Sequence, residues 1–369
     1  MRILPLPILL IACSGSPPDT ADTGAAPASE ATDWSAPGPH AAGTVSRAIT
    51  VDGRDVPVQV WYPAAGAAAV TDLHLLVADE TDRATLAGLL AAAPPGCPAT
   101  RNAAALDAPP ADVALAPLVA LSHCHTCLGV SNGTVAAHLA SHGFVVVAPD
   151  HVGNTLFDLQ AGDGGTLSEG TLALRAADIQ GALDAALDGA FLPAGLTVDP
   201  DAIGVGGHSF GSVTAARVLD TDPRVRSALA IAAPIDNPLL QGADAASIDK
   251  PVLMVLLEED NSIGAIGNTV IEANHAELGG PGWLVRVPDA GHWTVSDLCG
   301  VVDGFLPGCG EGVRQTDGTP LTYPSPDDGR ATAAALAAAF FSHTLRDVDA
   351  AGAWLAAPQT ALPVVVETR

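Results

Sequence analysis

Between residues 116 and 346, six short apolar runs alternate with stretches of helical spacing. The runs are 116–121, 144–149, 202–206, 227–233, 251–257 and 283–287, and the helical stretches lie near 132–142, 171–188, 211–220, 264–278 and 329–346. No other feature narrows the fold as much. A strand with one face in water alternates apolar and polar residues, whereas Val145-Val146-Val147 and Val252–Leu257 are apolar at consecutive positions, which requires cover on both faces. The intervening helices supply that cover and the long connections that parallel neighbours need. The pattern predicts an α/β domain, a mostly parallel twisted sheet with helices on both faces. Two further β-type runs, 45–50 and 55–61, flank Asp52-Gly53, a pair that predicts a hairpin opening the sheet. Residues 64–112 are rich in Ala and Pro, with spacing that allows a helix around 79–93, and read as an insertion. No internal repeat or linker divides 44–369, which is expected to be one large domain.

Lys and Arg total 15 against 41 Asp and Glu, a formal charge of −26. Such a chain repels phosphate backbones, so nucleic acid is not an expected partner. The mean hydropathy of +0.32 supplies material for a large core, yet no apolar run reaches the roughly 18 residues of a membrane span.

Met1-Arg2, an apolar stretch from Ile3 to Ala12 and then Cys13 follow the order of an export signal. Leu10-Ile11-Ala12-Cys13 resembles a bacterial lipobox, which implies loss of residues 1–12 and acylation of Cys13. Residues 13–43 contain almost no large apolar side chain and are expected to form a disordered acidic tether. The chain is therefore expected to be exported and held at the cell envelope, in the outer membrane or periplasm, or else secreted. The lipid anchor is the one membrane contact expected.

The run 202–206 leads into Gly207-His208-Ser209-Phe210-Gly211 and then a helical stretch. Small residues around a serine between strand and helix are what a nucleophile elbow requires, a strained turn that lifts the hydroxyl to the helix N-terminus. A serine hydroxyl needs a base. His292, in Ala290-Gly291-His292-Trp293 just past the last predicted strand, lies where an open α/β sheet has its crevice; its rival His275 falls within a helical pattern. The acid that orients the imidazole is expected between serine and histidine in sequence. Asp260, at the end of strand 251–257, is the first choice and Asp236, after strand 227–233, the alternative. Two backbone N–H groups are expected to form the oxyanion hole, one from Phe210 and one from the loop Ser122-His123-Cys124-His125, taken as that of His125.

Trp61-Tyr62-Pro63, Ser122-His123, Leu139 to Val146, Pro149-Asp150-His151 and the serine motif together resemble the dienelactone-hydrolase-like bacterial hydrolases, which are similar to platelet-activating-factor acetylhydrolases and more distantly to cutinase-type polyester hydrolases. The resemblance covers about 45–347. It implies an α/β-hydrolase fold, ester hydrolysis without a cofactor, and a triad of Ser209, an Asp and His292. Two departures stand out. Dienelactone hydrolases proper use a cysteine nucleophile where this chain has Ser209, and the family usually has glycine where this chain has Cys124.

Five cysteines follow Cys13. Cys299 and Cys309 bracket a loop after His292, so a disulfide between them is expected to stiffen the segment presenting the base. Cys97 is expected to pair with Cys124 or Cys127. His123-Cys124-His125-Thr126-Cys127 also has a metal-ligand look, but adjacent residues at a strand end point to opposite sides, so no metal is expected.

The expected function is that of a serine carboxylic-ester hydrolase acting through an acyl-enzyme on a small-molecule or lipid-like ester. The alternatives are a secreted peptidase or thioesterase using the same triad, and a surface-anchored binding protein on a hydrolase scaffold. Oligomeric state is not legible.

Overall fold

The computed structural model describes residues 33–237, 239–240 and 242–369. The leader, Cys13 and most of the expected tether lie outside the described residues. The tether's expected end at residue 43 needs correction. Trp34 is buried and stacks on His142 with ring centroids 5.3 Å apart, and the rings of His138 and His142 bond the carbonyls of Trp34 and Ala36. One indole supplies the apolar surface that the composition of this segment otherwise lacks.

Strands β1 (Ala41–Val51) and β2 (Arg54–Ala64) form the expected hairpin, in register from Ala41 opposite Ala64 to Val51 opposite Arg54. Asp52 and Gly53 both take positive φ, 50° and 75°, as a type I′ turn demands. The 64–112 segment is folded into the domain. It carries β3 (Thr71–Asp72), helix α1 (Glu80–Ala92), β4 (Arg101–Asn102) and β5 (Ala105–Leu106), and its Leu73, Leu76, Leu86 and Leu90 are buried in the main core.

The alternation then follows: β6 (Ala116–Ser122), α2 (Gly133–Ser141), β7 (Val145–Pro149), α3 (Leu156–Gln160), α4 (Glu169–Asp188), β8 (Val198–His208), α5 (Phe210–Thr221), β9 (Val225–Ile231), β10 (Val252–Leu257), α6 (Gly264–Glu277) and β11 (Gly282–Val287). A short ribbon, β12 (Glu311–Val313) with β13 (Pro320–Thr322), precedes α7 (Pro326–Arg346), α8 (Asp349–Ala356) and β14 (Val365–Thr368). The sheet order is β14-β11-β10-β9-β8-β6-β7-β2-β1-β5. Pairings from β7 through β11 are parallel, and β1, β2 and β14 join antiparallel.

The uninterrupted apolar runs are explained by two cores, one on each face. In β10, Leu253, Val255 and Leu257 pack with α2, α7 and α8, while Val252, Met254 and Leu256 pack with α4, α5 and α6. This is the α/β-hydrolase fold. No helix among the described residues is long and apolar enough to cross a membrane.

Candidate active site

At the end of β8 the chain turns through Ser209, whose φ of 56° and ψ of −124° place a non-glycine residue in strained backbone. The motif glycines are a steric requirement of that turn. A Cβ on Gly207 would lie 2.2 Å from the Gly211 carbonyl, and one on Gly211 would lie 2.0 Å from the Ser122 carbonyl. The elbow is thus packed directly against the end of β6. Ser209 N–H bonds the Ile231 carbonyl at 2.8 Å, and its hydroxyl does not cap the helix it opens. The side chain stays half-buried.

His292 and Asp260 sit on loops at the carboxyl ends of β11 and β10. Nδ1 of His292 is 2.6 Å from Oδ2 of Asp260, and both side chains are buried. The other carboxylate oxygen accepts the N–H groups of Ser262 (2.9 Å) and Ile263 (3.1 Å), so the acid is held in one orientation. Glu258 N–H to the Val287 carbonyl and Glu259 N–H to the Ala290 carbonyl tie the two loops together. Asp236 is elsewhere: its N–H bonds Asn274 of α6, and it lines a surface hollow with Asp220 and Asp244. His275 lies on α6. The structure therefore pairs His292 with Asp260 and with neither alternative.

His208 links the Ser209 turn to His292. Its Nε2–H donates to the His292 carbonyl at 2.9 Å, while burial, and next the neighbouring His292, push its pKa well below the usual imidazole range.

The loop after β6 makes a tight turn, Cys127 N–H bonding the Cys124 carbonyl at 3.2 Å, with His125 and a left-handed Thr126 at its corner. Among the described residues neither Phe210 N–H nor His125 N–H donates to a backbone carbonyl. A Cys124–Cys127 disulfide closes this turn, so the cysteine that stands in the family's usual glycine position constrains the turn covalently.

The second disulfide corrects the expected pairing. Cys309 bonds Cys97, 212 residues away, and Cys299 is a buried free thiol whose pKa burial pushes up to about 12. Sequence proximity misled here, because the loop folds Cys309 outward against the segment after α1. Trp293 N–H bonds the Pro307 carbonyl and Thr294 Oγ1 donates to the Gly308 carbonyl, so the segment stapled by Cys97–Cys309 braces the His292 loop.

The dienelactone hydrolase family matches residues 108–293, just over half of the chain and inclusive of Ser209, Asp260 and His292. The chain belongs to the dienelactone hydrolase family. A ferulic acid esterase from Streptomyces cinnamoneus has a similar structure, with a TM-score of 0.63 at 25% identity over 86% of this chain and 94% of that one. No curated protein matches the chain. As a family member it is a hydrolase acting on ester bonds.

An open cleft of about 630 Å³ borders His125 and Thr126 in this dienelactone hydrolase relative. Its walls are Leu89 of α1, Leu159 and Gln160 of α3, and Val302 to Phe305. Phe305 stacks on Trp293 with centroids 3.8 Å apart, and the Trp293 and His292 rings meet in a T-shaped contact, so the cleft adjoins His292 as well.

Sequence reasoning missed a buried polar cluster under the elbow. Ser122 Oγ bonds His151 Nε2 at 2.9 Å, His151 Nδ1 bonds Asp178 at 3.0 Å, and Arg54 completes the chain to Asp178 at 2.7 Å. These three inner residues repeat the serine-histidine-acid order, but all are fully buried, so no substrate reaches Ser122. Arg175 completes the cluster. Its signal in the sequence was a lone cation in the apolar stretch Leu172 to Ala177, one turn from Asp178.

Proposed function

We propose that this protein is a serine carboxylester hydrolase working through an acyl-enzyme. The observation that carries the reading is the buried 2.6 Å pair of His292 and Asp260, tied through the His292 carbonyl to His208, the residue before the strained, half-buried Ser209. Asp260 occupies Nδ1, which leaves Nε2 of His292 to take the Ser209 proton as Oγ attacks the ester carbonyl. The carbonyl oxygen, now negative, accepts the Phe210 and His125 N–H groups. Collapse of the tetrahedral species expels the alcohol, which takes the proton from His292. Water then repeats the sequence and frees the acid and Ser209.

Leu89, Leu159, Val302 and Phe305 give the cleft apolar lining alongside its polar residues Gln160 and Asp303, and that lining suits an uncharged apolar acyl group. Similarity to a ferulic acid esterase favours an aromatic one. Methyl ferulate and a p-nitrophenyl ester series should both be cleaved, with methyl ferulate and short acyl chains preferred. A fluorophosphonate probe should label wild type at Ser209. Ser209→Ala should lose labelling and about 10³-fold or more in kcat while folding normally; a folded mutant keeping a tenth of its activity removes the serine from the mechanism.

The leader, the lipobox and two disulfides support export, with acylation at Cys13. Intact-mass analysis of the membrane fraction tests this. An unmodified Cys13 thiol in the mature protein rejects it.

A further inference from the structure

Arg175 lies inside α4 and is fully buried, and the acyl-transfer steps above make no use of it. A guanidinium stripped of water needs acceptors for its N–H fork. It finds them on separate segments. Nε donates to Thr214 Oγ1 (3.1 Å) on α5, Nη1 to Asn154 Oδ1 (2.6 Å), and Nη2 to both Ser122 Oγ (3.1 Å) and the His123 carbonyl. Its Cζ also sits 4.6 Å from the centre of the Phe210 ring. Each grip leads within a step or two to Phe210 or His125. Thr214 Oγ1 donates onward to the Phe210 carbonyl (3.0 Å), Asn154 Nδ2 donates to His125 Nδ1 (2.8 Å), and His123 lies two residues before His125.

We propose that Arg175 is the positioning residue of the oxyanion hole, fixing the Phe210 and His125 segments relative to one another with its charge beside them. The inference rests on the acyl-enzyme reading above. Among the described residues no direct ion pair cancels the charge. Asp178, the nearest acid in the cluster, is engaged by Arg54 and His151, and the route from Arg175 to it runs through Ser122 and His151. Burial lowers the Arg175 pKa to about 9, with Asp178 opposing, so the group stays cationic at neutral pH. In a buried site such a charge, paid for once on folding, favours a developing oxyanion without reorganisation.

The test compares wild type with Arg175→Met, Arg175→Lys, Thr214→Val and Thr214→Ser. The readouts are p-nitrophenyl acetate kinetics, the affinity of a phenyl trifluoromethyl ketone, which forms the tetrahedral adduct, and the thermal midpoint. Arg175→Met should lower kcat by about 10²-fold, within the range seen for loss of one oxyanion donor, with KM within about threefold. Ketone affinity should fall in parallel. Arg175→Lys, which keeps the charge without the fork, should fall between Arg175→Met and wild type. Should Arg175→Met not fold, Thr214→Val still severs one grip; it should cost about tenfold in kcat, with Thr214→Ser restoring most of it. A purely structural knot would lower the thermal midpoint and leave kcat and ketone affinity of the folded variants unchanged, and that outcome overturns the proposal. Ser209→Ala in the same assay separates the two failures: an active Ser209→Ala sinks the acyl-enzyme reading, while an inactive one beside fully active folded Arg175 and Thr214 variants sinks only the role of Arg175.

Discussion

Asp260 and Asp236 carry the same carboxylate, each just past a central strand, and differ in what that carboxylate touches. Asp260 is buried, takes two backbone N–H groups on one oxygen and gives the other to His292. Asp236 is partly exposed, and one oxygen receives a long bond from Ala245 N–H at 3.4 Å. An asparagine at 260 would turn an N–H toward Nδ1 and favour the wrong tautomer, so Asp260→Asn should cost about 10³- to 10⁴-fold in kcat. Asp236→Asn should stay within about threefold. Steady-state kinetics on the two variants decides it, and the opposite ranking would return the acid to the earlier strand. The neighbours of Asp260 show how narrow the discrimination is. Glu259, one residue away, is buried too, but its carboxylate goes to Arg314 and the Gln315 N–H, and Arg314 also binds Asp289.

The loops that bear these residues are held by the two disulfides in different ways. Cys97–Cys309 closes a ring of more than two hundred residues, and in the chain-entropy description such a cross-link stabilises by up to about 5 kcal/mol, against about 2 kcal/mol for the four-residue ring of Cys124–Cys127. The long bridge is therefore a property of global stability, and the short one belongs to the turn that presents His125. Cys97→Ser should lower the urea midpoint sharply. The double variant Cys124→Ser, Cys127→Ser should lower that midpoint by less than half as much and should lower kcat as well, whereas Cys97→Ser should leave kcat of the folded protein near wild type. Paired urea denaturation and kinetics on both variants checks this; a short bridge that governs the midpoint without touching kcat would contradict the assignment.

Across the molecule, burial holds seven imidazoles below their usual range: His123, His125, His138, His142, His151, His208 and His275, with His142 lowered to about 4. In the unfolded chain these rings take up protons as the pH falls below about 6.5, while in the fold they take them up only at lower pH. The stability they contribute is complete above pH 6.5 and is lost as pH falls through that window, by up to about 1.4 kcal/mol per pH unit for each fully buried ring. Burial also raises Asp82, Asp178, Asp297 and Asp150, the last to about 7, and these act in the opposite sense because the folded state protonates first. Four rings, His123, His142, His151 and His208, are pushed far down, against one carboxyl, Asp150, pushed up to about 7. The urea midpoint should therefore be lower at pH 5.5 than at pH 7.5, and a rise on acidification would show that the buried carboxyls dominate.

Local pattern in this chain determined the order of its strands and helices, the doubly covered sheet and the elbow. Each of these depends on residues adjacent in sequence: consecutive apolar positions demand two cores, Asp52-Gly53 demands a tight hairpin, and Gly207 and Gly211 are the only residues that let β8 turn against β6. The strand-end positions of Ser209 and His292 were legible for the same reason. The choice of Asp260 over Asp236 was narrowed but not made, because both follow strands equally well and only the stacking of the β10 and β11 loops brings one of them to His292. Cysteine pairing and the Arg175 cluster were decided in three dimensions alone. Cys97 meets Cys309 across 212 residues, and Arg175 joins α4, α5 and the loops after β6 and β7. Spacing along a chain reports the period of one strand or helix, whereas such contacts depend on where the sheet's twist and two packed cores carry each segment, and no local signal records that.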